Sequence, residues 1–139
     1  MAVRTVGGTV ISLPSLGAGG KPLRDAADII ARAARQISSR YSRRIPASVR
    51  VKVSGDGKTA VITAGGPAAP QAYTFEGRNS GTPIAHPVYG HGPRSEWTWR
   101  NQIPVRPFMK QAVDSTIDEA ADVWGSEVID EWARRAGFR

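Results

Sequence analysis

The residues best suited to binding or catalysis are concentrated in one window, residues 86–109. This window contains both histidines of the 139-residue chain, two of its four tryptophans, three arginines and four prolines. Imidazole can bind zinc, whereas tryptophan and arginine are enriched at the energetic centres of protein interfaces and also contact nucleic-acid bases. The window therefore raises three alternatives: a metal site, a nucleic-acid site and a protein interface.

A metal site in this window would have to use His86, His91 and Glu96. The two histidines are five residues apart in a Pro/Gly-rich stretch, a spacing that matches no helical zinc motif. A zinc site also needs a scaffold that fixes its ligands and neighbouring groups that orient the rings. The chain has no cysteine, which excludes a thiolate site and a disulfide. We therefore expect no metal and no cofactor, and interpret both histidines as loop residues.

Catalysis by acid–base or nucleophilic chemistry has little support in the sequence. Asp114, Asp118 and Asp122 stand four residues apart in a helical pattern, but such a row is typical of a solvated helix face. No serine lies in a nucleophile-elbow pattern, and the Gly-rich N-terminal stretch lacks the Lys-Ser/Thr ending of a phosphate-binding loop. The sequence therefore predicts that the protein is not an enzyme.

The elements that must position the window follow from the periodicity of the rest of the chain, which predicts an α+β fold. Apolar residues at steps of three and four from Leu23 to Tyr41 predict an N-terminal helix. This helix should begin near Pro22, since proline is tolerated in a first turn, and should end before Pro46. A small antiparallel β-sheet, a long loop and a long amphipathic C-terminal helix are expected to follow.

The clearest local signal is a hairpin in the segment SVRVKVSGDGKTAVITA, residues 48–64. The Asp-Gly step at residues 56–57 is typical of a two-residue turn, and a four-residue GDGK loop would give the same register. A slip of one residue would move every apolar side chain to the other face of the sheet. The predicted apolar pairs are Val53 with Ala60, Val51 with Ile62 and Val49 with Ala64.

Beyond the hairpin, Tyr73 and Phe75 alternate as in a third strand. The prolines of the window then favour a long ordered loop that can include a short edge strand. The last helix should begin at Pro107 and continue to residue 136 with one apolar stripe along it. Gly125 lies inside this helix and costs about 1 kcal/mol relative to alanine, which predicts a kink or a break there.

The first twenty residues predict an extended N-terminal arm, with a short strand between Val3 and Leu13 and a Gly-rich joint after it. This segment is a poor match to a signal peptide, because polar residues and a proline interrupt its apolar run. The chain also has no apolar run long enough to span a bilayer. We therefore expect a soluble protein in which residues 21–139 form a single domain.

The net charge of +7 is unevenly distributed along the chain. Residues 21–52 carry nine basic side chains against two aspartates, a net charge of +7, whereas residues 111–139 carry three arginines against seven carboxylates, a net charge of −4. Such polarity concerns partners and association rather than the fold.

Nucleic-acid binding and protein docking both remain open on this pattern. The arginine-rich first helix has the composition of a phosphate-contacting surface, but no helix-turn-helix, zinc or RNA-binding motif accompanies it. In the docking alternative, the tryptophans and arginines of the window are the anchors, and its prolines reduce the entropy lost on ordering. The interface candidates are Arg94, Trp97, Trp99, Arg100, Arg106 and Phe108. The candidates for charge pairing or for facing DNA are Arg32, Arg35, Arg40, Arg43 and Arg44.

The Ala/Arg-rich first helix and the basic hairpin are followed along the chain by two short motifs. The first is Tyr73, Phe75, Glu76 and Gly77, before a loop, and the second is Arg106, Pro107, Phe108 and Met109, at the start of the last helix. This order resembles that of a family of small siphophage neck proteins, the tail-completion, tail-terminator or head–tail joining (gene-product-ten-like) proteins. The resemblance covers residues 23–139, most clearly 68–113. Many members carry Thr-Gly and then Leu-Arg before the hairpin, where this chain has IPASVR, residues 45–50.

The resemblance implies a structural virion protein whose subunits form a ring of six where the DNA-filled head of a tailed phage meets the tail tube. The implied location is the virion neck, after synthesis in the bacterial cytoplasm. The implied partners are further copies of the chain, neighbouring neck and tail proteins, and genomic DNA that passes through the lumen without sequence-specific binding; no membrane is involved. A small basic nucleic-acid-binding protein is the alternative.

Overall fold

The computed structural model describes residues 2–5, 9–12, 20–76, 85–88, 98–101 and 106–137. These residues confirm the predicted α+β class, with an N-terminal helix, antiparallel strands and a long C-terminal helix. The elements in chain order are β1 (Ala2–Thr5), β2 (Thr9–Ser12), α1 (Lys21–Ser38), α2 (Arg44–Ser48), β3 (Arg50–Val53), β4 (Thr59–Thr63), α3 (Gln71–Glu76), β5 (Ala85–Val88), β6 (Thr98–Asn101) and α4 (Phe108–Arg135).

β3 and β4 pair antiparallel in the register that the apolar pattern predicts. Val53 lies opposite Ala60, and Val51 lies opposite Ile62. The connection is the four-residue loop 55–58 rather than a two-residue Asp-Gly turn, because the Ser54 amide donates to the Thr59 carbonyl at 2.8 Å. The register is the same for both loops, so the apolar face of the strands meets the core either way.

The N-terminal segment contributes two strands to this sheet, whereas the sequence predicted a single short strand in an extended arm. β2 pairs antiparallel with β4, and β1 pairs antiparallel with β2, which gives the strand order β1-β2-β4-β3. β4 would otherwise present an unpaired edge of backbone amides and carbonyls. The N-terminal strands satisfy that edge, which is a long-range effect that the local sequence does not contain.

α1 is a helix because its small and apolar residues recur on one face and Pro22 occupies its first turn. The buried face is broad, since α1 packs against α4 on one side and against β3 and β4 on another. The many alanines on this face allow the close approach of both neighbours. The buried residues of α1 are Pro22, Leu23, Ala26, Ala27, Ile30, Ala31, Ala34 and Ser38.

α4 runs antiparallel to α1 and extends beyond it. Lys21, at the start of α1, has its Nζ 3.9 Å from Oε2 of Glu127, near the end of α4. Tyr41, just after α1, has its ring centroid 6.4 Å from that of Phe108, at the start of α4. The 28 residues of α4 make it about 42 Å long.

The predicted break at Gly125 is wrong, because α4 is one continuous helix from Phe108 to Arg135. On one side of the glycine Trp124 packs against the core, and on the other Val128 is buried. This packing offsets the cost of about 1 kcal/mol that glycine imposes on a helix interior. No described atom of another element lies within 4 Å of the position that a Cβ on Gly125 would occupy.

The predicted third strand at Tyr73 and Phe75 is also wrong, because residues 71–76 form the short helix α3. A segment of five residues is too short for its alternation to separate a strand from a helix. The helix buries Ala72 and turns Phe75, three residues later, towards the core, while Tyr73 stays 60% exposed. Tertiary packing therefore decides the conformation of this segment.

The histidine- and tryptophan-containing window includes more regular structure than predicted. β5 pairs antiparallel with β6 and places His86 opposite Arg100 and Pro87 opposite Trp99. Proline is tolerated here because β5 is an edge strand of a two-stranded ladder. The predicted loop residues between and after these strands lie outside the described part of the chain. Among the described helices, none combines the length and apolarity needed to cross a membrane.

Candidate protein–protein interface

The start of α4 is held by a carboxylate from a distant part of the chain. Its own first turn contains no acidic residue, and Pro107 before it makes no side-chain cap. Glu76, at the end of α3, accepts hydrogen bonds from the Met109 amide at 2.9 Å and from the Lys110 amide at 3.2 Å. A carboxylate at a helix N-terminus satisfies free amides and interacts favourably with the helix dipole. Glu76 therefore caps α4 across 33 residues of sequence.

Tyr41 connects the same junction to the end of α1. Its ring lies 4.7 Å from the ring of Phe75, and its hydroxyl donates to the carbonyl of Arg106 at 3.3 Å. The Arg106 guanidinium lies over the Tyr41 ring at 5.7 Å. Burial, followed by the negative charge of Glu76, raises the pKa of Tyr41 to about 12, against smaller opposing effects of Arg106 and Arg40. The hydroxyl therefore stays protonated and available as a donor at neutral pH.

Four exposed arginines lie in the segments that meet at Tyr41, and we call them the basic corner: Arg40, Arg43, Arg44 and Arg106. The first three lie in or beside the turn between α1 and α2, and the fourth precedes α4 by two residues. No ion pair to any of the four occurs within the described residues. The structure thus joins an interface candidate, Arg106, to three of the charge-pairing candidates.

The two remaining charge-pairing candidates differ in their surroundings. Arg35 donates from Nη2 to the carbonyl of Val49 at 3.0 Å, which ties the end of α1 to the start of β3. Arg32 is exposed on the outer side of α1, and within the described residues its guanidinium forms no hydrogen bond or ion pair. Arg35 therefore has a structural role within the subunit, and Arg32 is the better candidate for an external contact.

The outward face of α4 carries the second concentration of exposed charge. Successive residues of an α-helix are rotated by 100° about its axis, and six residues spaced along this face fall within an arc of about 80°. It begins with three exposed aspartates, continues past a glycine with open space above it, and ends in two apolar side chains that are 65% and 61% exposed. We call this row the outer stripe: Asp114, Asp118, Asp122, Gly125, Ile129 and Trp132.

The interface candidates predicted from the sequence differ in position and exposure. Phe108 is only 1% exposed and packs against Tyr41, so its side chain belongs to the core of this chain and is not offered to a partner. Trp99 and Arg100 lie in β6, where the structure describes the backbone pairing. Arg94 and Trp97 lie outside the described residues. Arg106 is the interface candidate that the structure places on a described exposed surface.

Sequence reasoning missed the apolar end of α4. The apolar stripe predicted along α4 extends to Trp132 and does not include Ile129, yet these side chains are 61% and 65% exposed. Both residues lie on the outward face of α4, in line with the aspartates, whereas Val128 at the same level faces inward and is buried. The spacing was the available signal, because Trp132 is eighteen residues, or five full helical turns, beyond Asp114.

A cleft of about 320 Å³ lies between the start of α1 and the end of α4. Glu127 lines it, and its Oε2 atom is buried with no hydrogen-bond partner in the described part of the chain. Burial, and then the nearby carboxylate of Asp25, raises the pKa of Glu127, while Lys21 opposes the shift and Asp130 adds to it. Among the other charged groups that line the cleft, Lys21 pairs with Asp25 and Arg134 pairs with Glu131.

We expect Glu127→Gln to increase stability at neutral pH. A carboxyl group whose pKa is higher in the folded chain than in the unfolded chain favours folding when protonated, so it opposes folding as pH rises above the ordinary glutamate range. The glutamine variant lacks this titration. We measure the free energy of unfolding in urea at about pH 4 and about pH 7. The value for the variant minus the value for wild type should be larger at the higher pH. Glu119→Gln, on the exposed side of α4, is the control. If the stability difference between Glu127→Gln and wild type is the same at both pH values, or smaller at the higher pH, the expectation is contradicted.

A metal centre finds no support in the part of the chain that the structure describes, where no group of three or more histidine, aspartate or glutamate side chains is placed to hold a metal ion. His86 lies in β5, and the predicted companions His91 and Glu96 lie outside the described residues.

Comparison with known proteins found no matching family model, no similar curated protein and no similar solved structure.

Proposed function

We propose that this protein is a structural, non-enzymatic subunit of the neck of a tailed phage, which joins the DNA-filled head to the tail tube as part of a homo-oligomeric ring. The observation that carries the proposal is the separation of exposed charge. The arginines of the basic corner lie at one end of α4, and the outer stripe, with its aspartates and apolar residues, extends along α4 away from that corner. Opposite charge on two separate surfaces suits repeated contacts between copies.

The junction at the start of α4 supports the same proposal. The two motifs that carry the resemblance to siphophage neck proteins are about thirty residues apart in the sequence. In the structure they meet directly, because Glu76 caps the helix that begins at Phe108 and the Arg106 amide donates to the Phe75 carbonyl at 2.8 Å. The two motifs therefore form one structural unit.

The test is the location of the protein in a virion. Antibody labelling of phage particles from the source of this sequence, viewed by electron microscopy, should place the label at the head–tail joint, and the purified protein should form rings alone or on isolated heads or tails. A label on the capsid or tail tip, or absence from particles, would contradict the proposal. Genes for portal, capsid and tail-tube proteins on either side of this gene would agree with it.

Nucleic-acid binding is the second candidate, because the four exposed arginines of the basic corner form no ion pair within the described residues. In that case the protein should bind duplex DNA with an affinity that falls steeply as salt concentration rises, since each neutralised phosphate releases counterions. A neck subunit should bind DNA weakly and without sequence preference. A fluorescence titration of duplex DNA at several salt concentrations separates the two functions.

A further inference from the structure

Two surfaces of this chain complement one another in charge and in apolar character. The basic corner supplies four arginines, and Tyr73, 60% exposed, lies on the neighbouring helix α3. α3 is fixed to this corner by the ring contact of Phe75 with Tyr41 and by the hydrogen bond from Gln71 to the Ser42 hydroxyl at 3.2 Å. The outer stripe supplies the apolar pair Ile129 and Trp132 and three aspartates, of which Asp114 pairs with Lys110 on the same helix while Asp118 and Asp122 form no ion pair within the described residues. Each surface therefore combines charge of one predominant sign with exposed apolar or aromatic area.

The two surfaces cannot meet within one subunit. α4 is continuous, so the distance between its residues is set by the helical rise of about 1.5 Å per residue. Trp132 is 26 residues beyond Arg106 and therefore lies roughly 40 Å from the basic corner. A rigid helix cannot bend back over that distance. Any contact between the apolar end of the outer stripe and the basic corner must join two molecules.

We propose that the basic corner of one copy binds the outer stripe of a second copy, in a head-to-tail contact. This proposal rests on the proposed function in that it supplies the contact between neighbouring ring subunits. Ile129 and Trp132 are the anchors, because large apolar and aromatic residues dominate interface energetics and arginine is the cation most often found beside them. The aspartates orient the incoming arginines and accelerate association.

Gly125 adds a geometric reason for a contact on this face. It stands between the aspartates and the apolar pair, and the space above it is open. A helix position without a side chain lets another element approach the backbone closely. Closer packing across the stripe then favours the contact between two copies.

The experiment uses two double variants that each damage one surface. Arg40→Glu/Arg44→Glu reverses charge in the basic corner, and Ile129→Ser/Trp132→Ser removes the anchors of the outer stripe. In sedimentation velocity over a wide concentration range, wild type should self-associate, and each variant alone should associate at least about thirtyfold more weakly. Because each variant retains the surface that the other lacks, an equimolar mixture should form one-to-one heterodimers and nothing larger.

The controls separate assembly from folding and from net charge. Arg24→Glu/Lys58→Glu changes the net charge by the same amount at exposed positions outside the corner and should associate like wild type. Asp118→Lys/Asp122→Lys is a second stripe variant that leaves Trp132 in place. Urea unfolding should show wild-type stability for every variant used.

Three results would overturn the inference: wild type that stays monomeric up to millimolar concentration, variants that associate like wild type, or a mixture that forms no heterodimer. The proposed function is judged separately by virion labelling. If the label lies at the neck but the mixture forms no heterodimer, the proposed function is supported and the proposed contact is wrong. If heterodimers form but no label lies at the neck, the contact is supported and the proposed function is wrong.

Discussion

Replacing Phe108 by alanine should lower the free energy of unfolding by about 3–5 kcal/mol. Phe108 is 1% exposed and is among the largest fully buried side chains of the described residues. Its ring packs beside Tyr41, where the end of α1 meets the start of α4. Truncation removes apolar burial and leaves a cavity that Tyr41 and Phe75 cannot fill, since both rings are held by the surrounding contacts. Urea denaturation monitored by circular dichroism measures the loss.

Two further variants define what the Phe108 result means. Phe108→Leu keeps most of the volume and should cost less than about 1.5 kcal/mol. Gln111→Ala, three residues later on the exposed side of α4, should change stability by less than about 0.5 kcal/mol. A Phe108→Ala variant as stable as wild type but impaired in assembly would restore the interface role that the sequence suggested and contradict the buried position.

Replacing Glu76 by alanine should lower the free energy of unfolding by about 1–2 kcal/mol. The variant loses both hydrogen bonds to the amides of Met109 and Lys110 and the favourable interaction of a carboxylate with the helix dipole. α4 offers no local replacement, because its first turn has no acidic residue and contains Lys110. Glu76→Gln retains one acceptor oxygen and should lose less stability than Glu76→Ala.

The Glu76 variants have a second readout that a general loss of stability would not produce. The charge of Glu76 contributes to the raised pKa of Tyr41, so Glu76→Gln should lower that pKa from about 12 while burial still holds it above the ordinary value. An alkaline titration of the Tyr41 ring followed by NMR measures this shift. Glu119→Gln, which lies on the exposed side of α4, should leave both stability and the Tyr41 titration unchanged. An unshifted Tyr41 in Glu76→Gln would show that the carboxylate is not held beside the junction.

Strong periodicity in the sequence was enough to predict the long elements. The apolar steps from Leu23 onward predicted α1, and the stripe from Met109 predicted α4 to within one or two residues of its observed ends. The register of β3 and β4 was also predictable, because only one pairing keeps Val51, Val53 and their partners on the same face. In each case many residues favour the same conformation, so their local preferences outweigh the effect of tertiary contacts.

The errors fall where the environment outweighs the local pattern. Tyr73 and Phe75 alternate as in a strand, but α3 forms because Phe75 packs on Tyr41 and Glu76 reaches the start of α4. Gly125 predicts a kink or a break, and the break does not occur because the core-packed Trp124 and the buried Val128 on either side of it keep α4 continuous. The N-terminal strands add to the sheet because β4 provides an edge.

For the candidate interface, the sequence by itself determined the inventory of charges and their division into a cationic and an anionic part, because side-chain charge depends on residue type alone. Only the tertiary structure decided where those charges lie. Packing buried Phe108, committed Arg35 to the Val49 carbonyl, and gathered Arg106 with the arginines near Tyr41. The packing of the opposite face of α4 against α1 left Ile129 and Trp132 exposed. Surfaces arise from contacts between distant segments, and those contacts are set by the whole fold rather than by neighbouring residues.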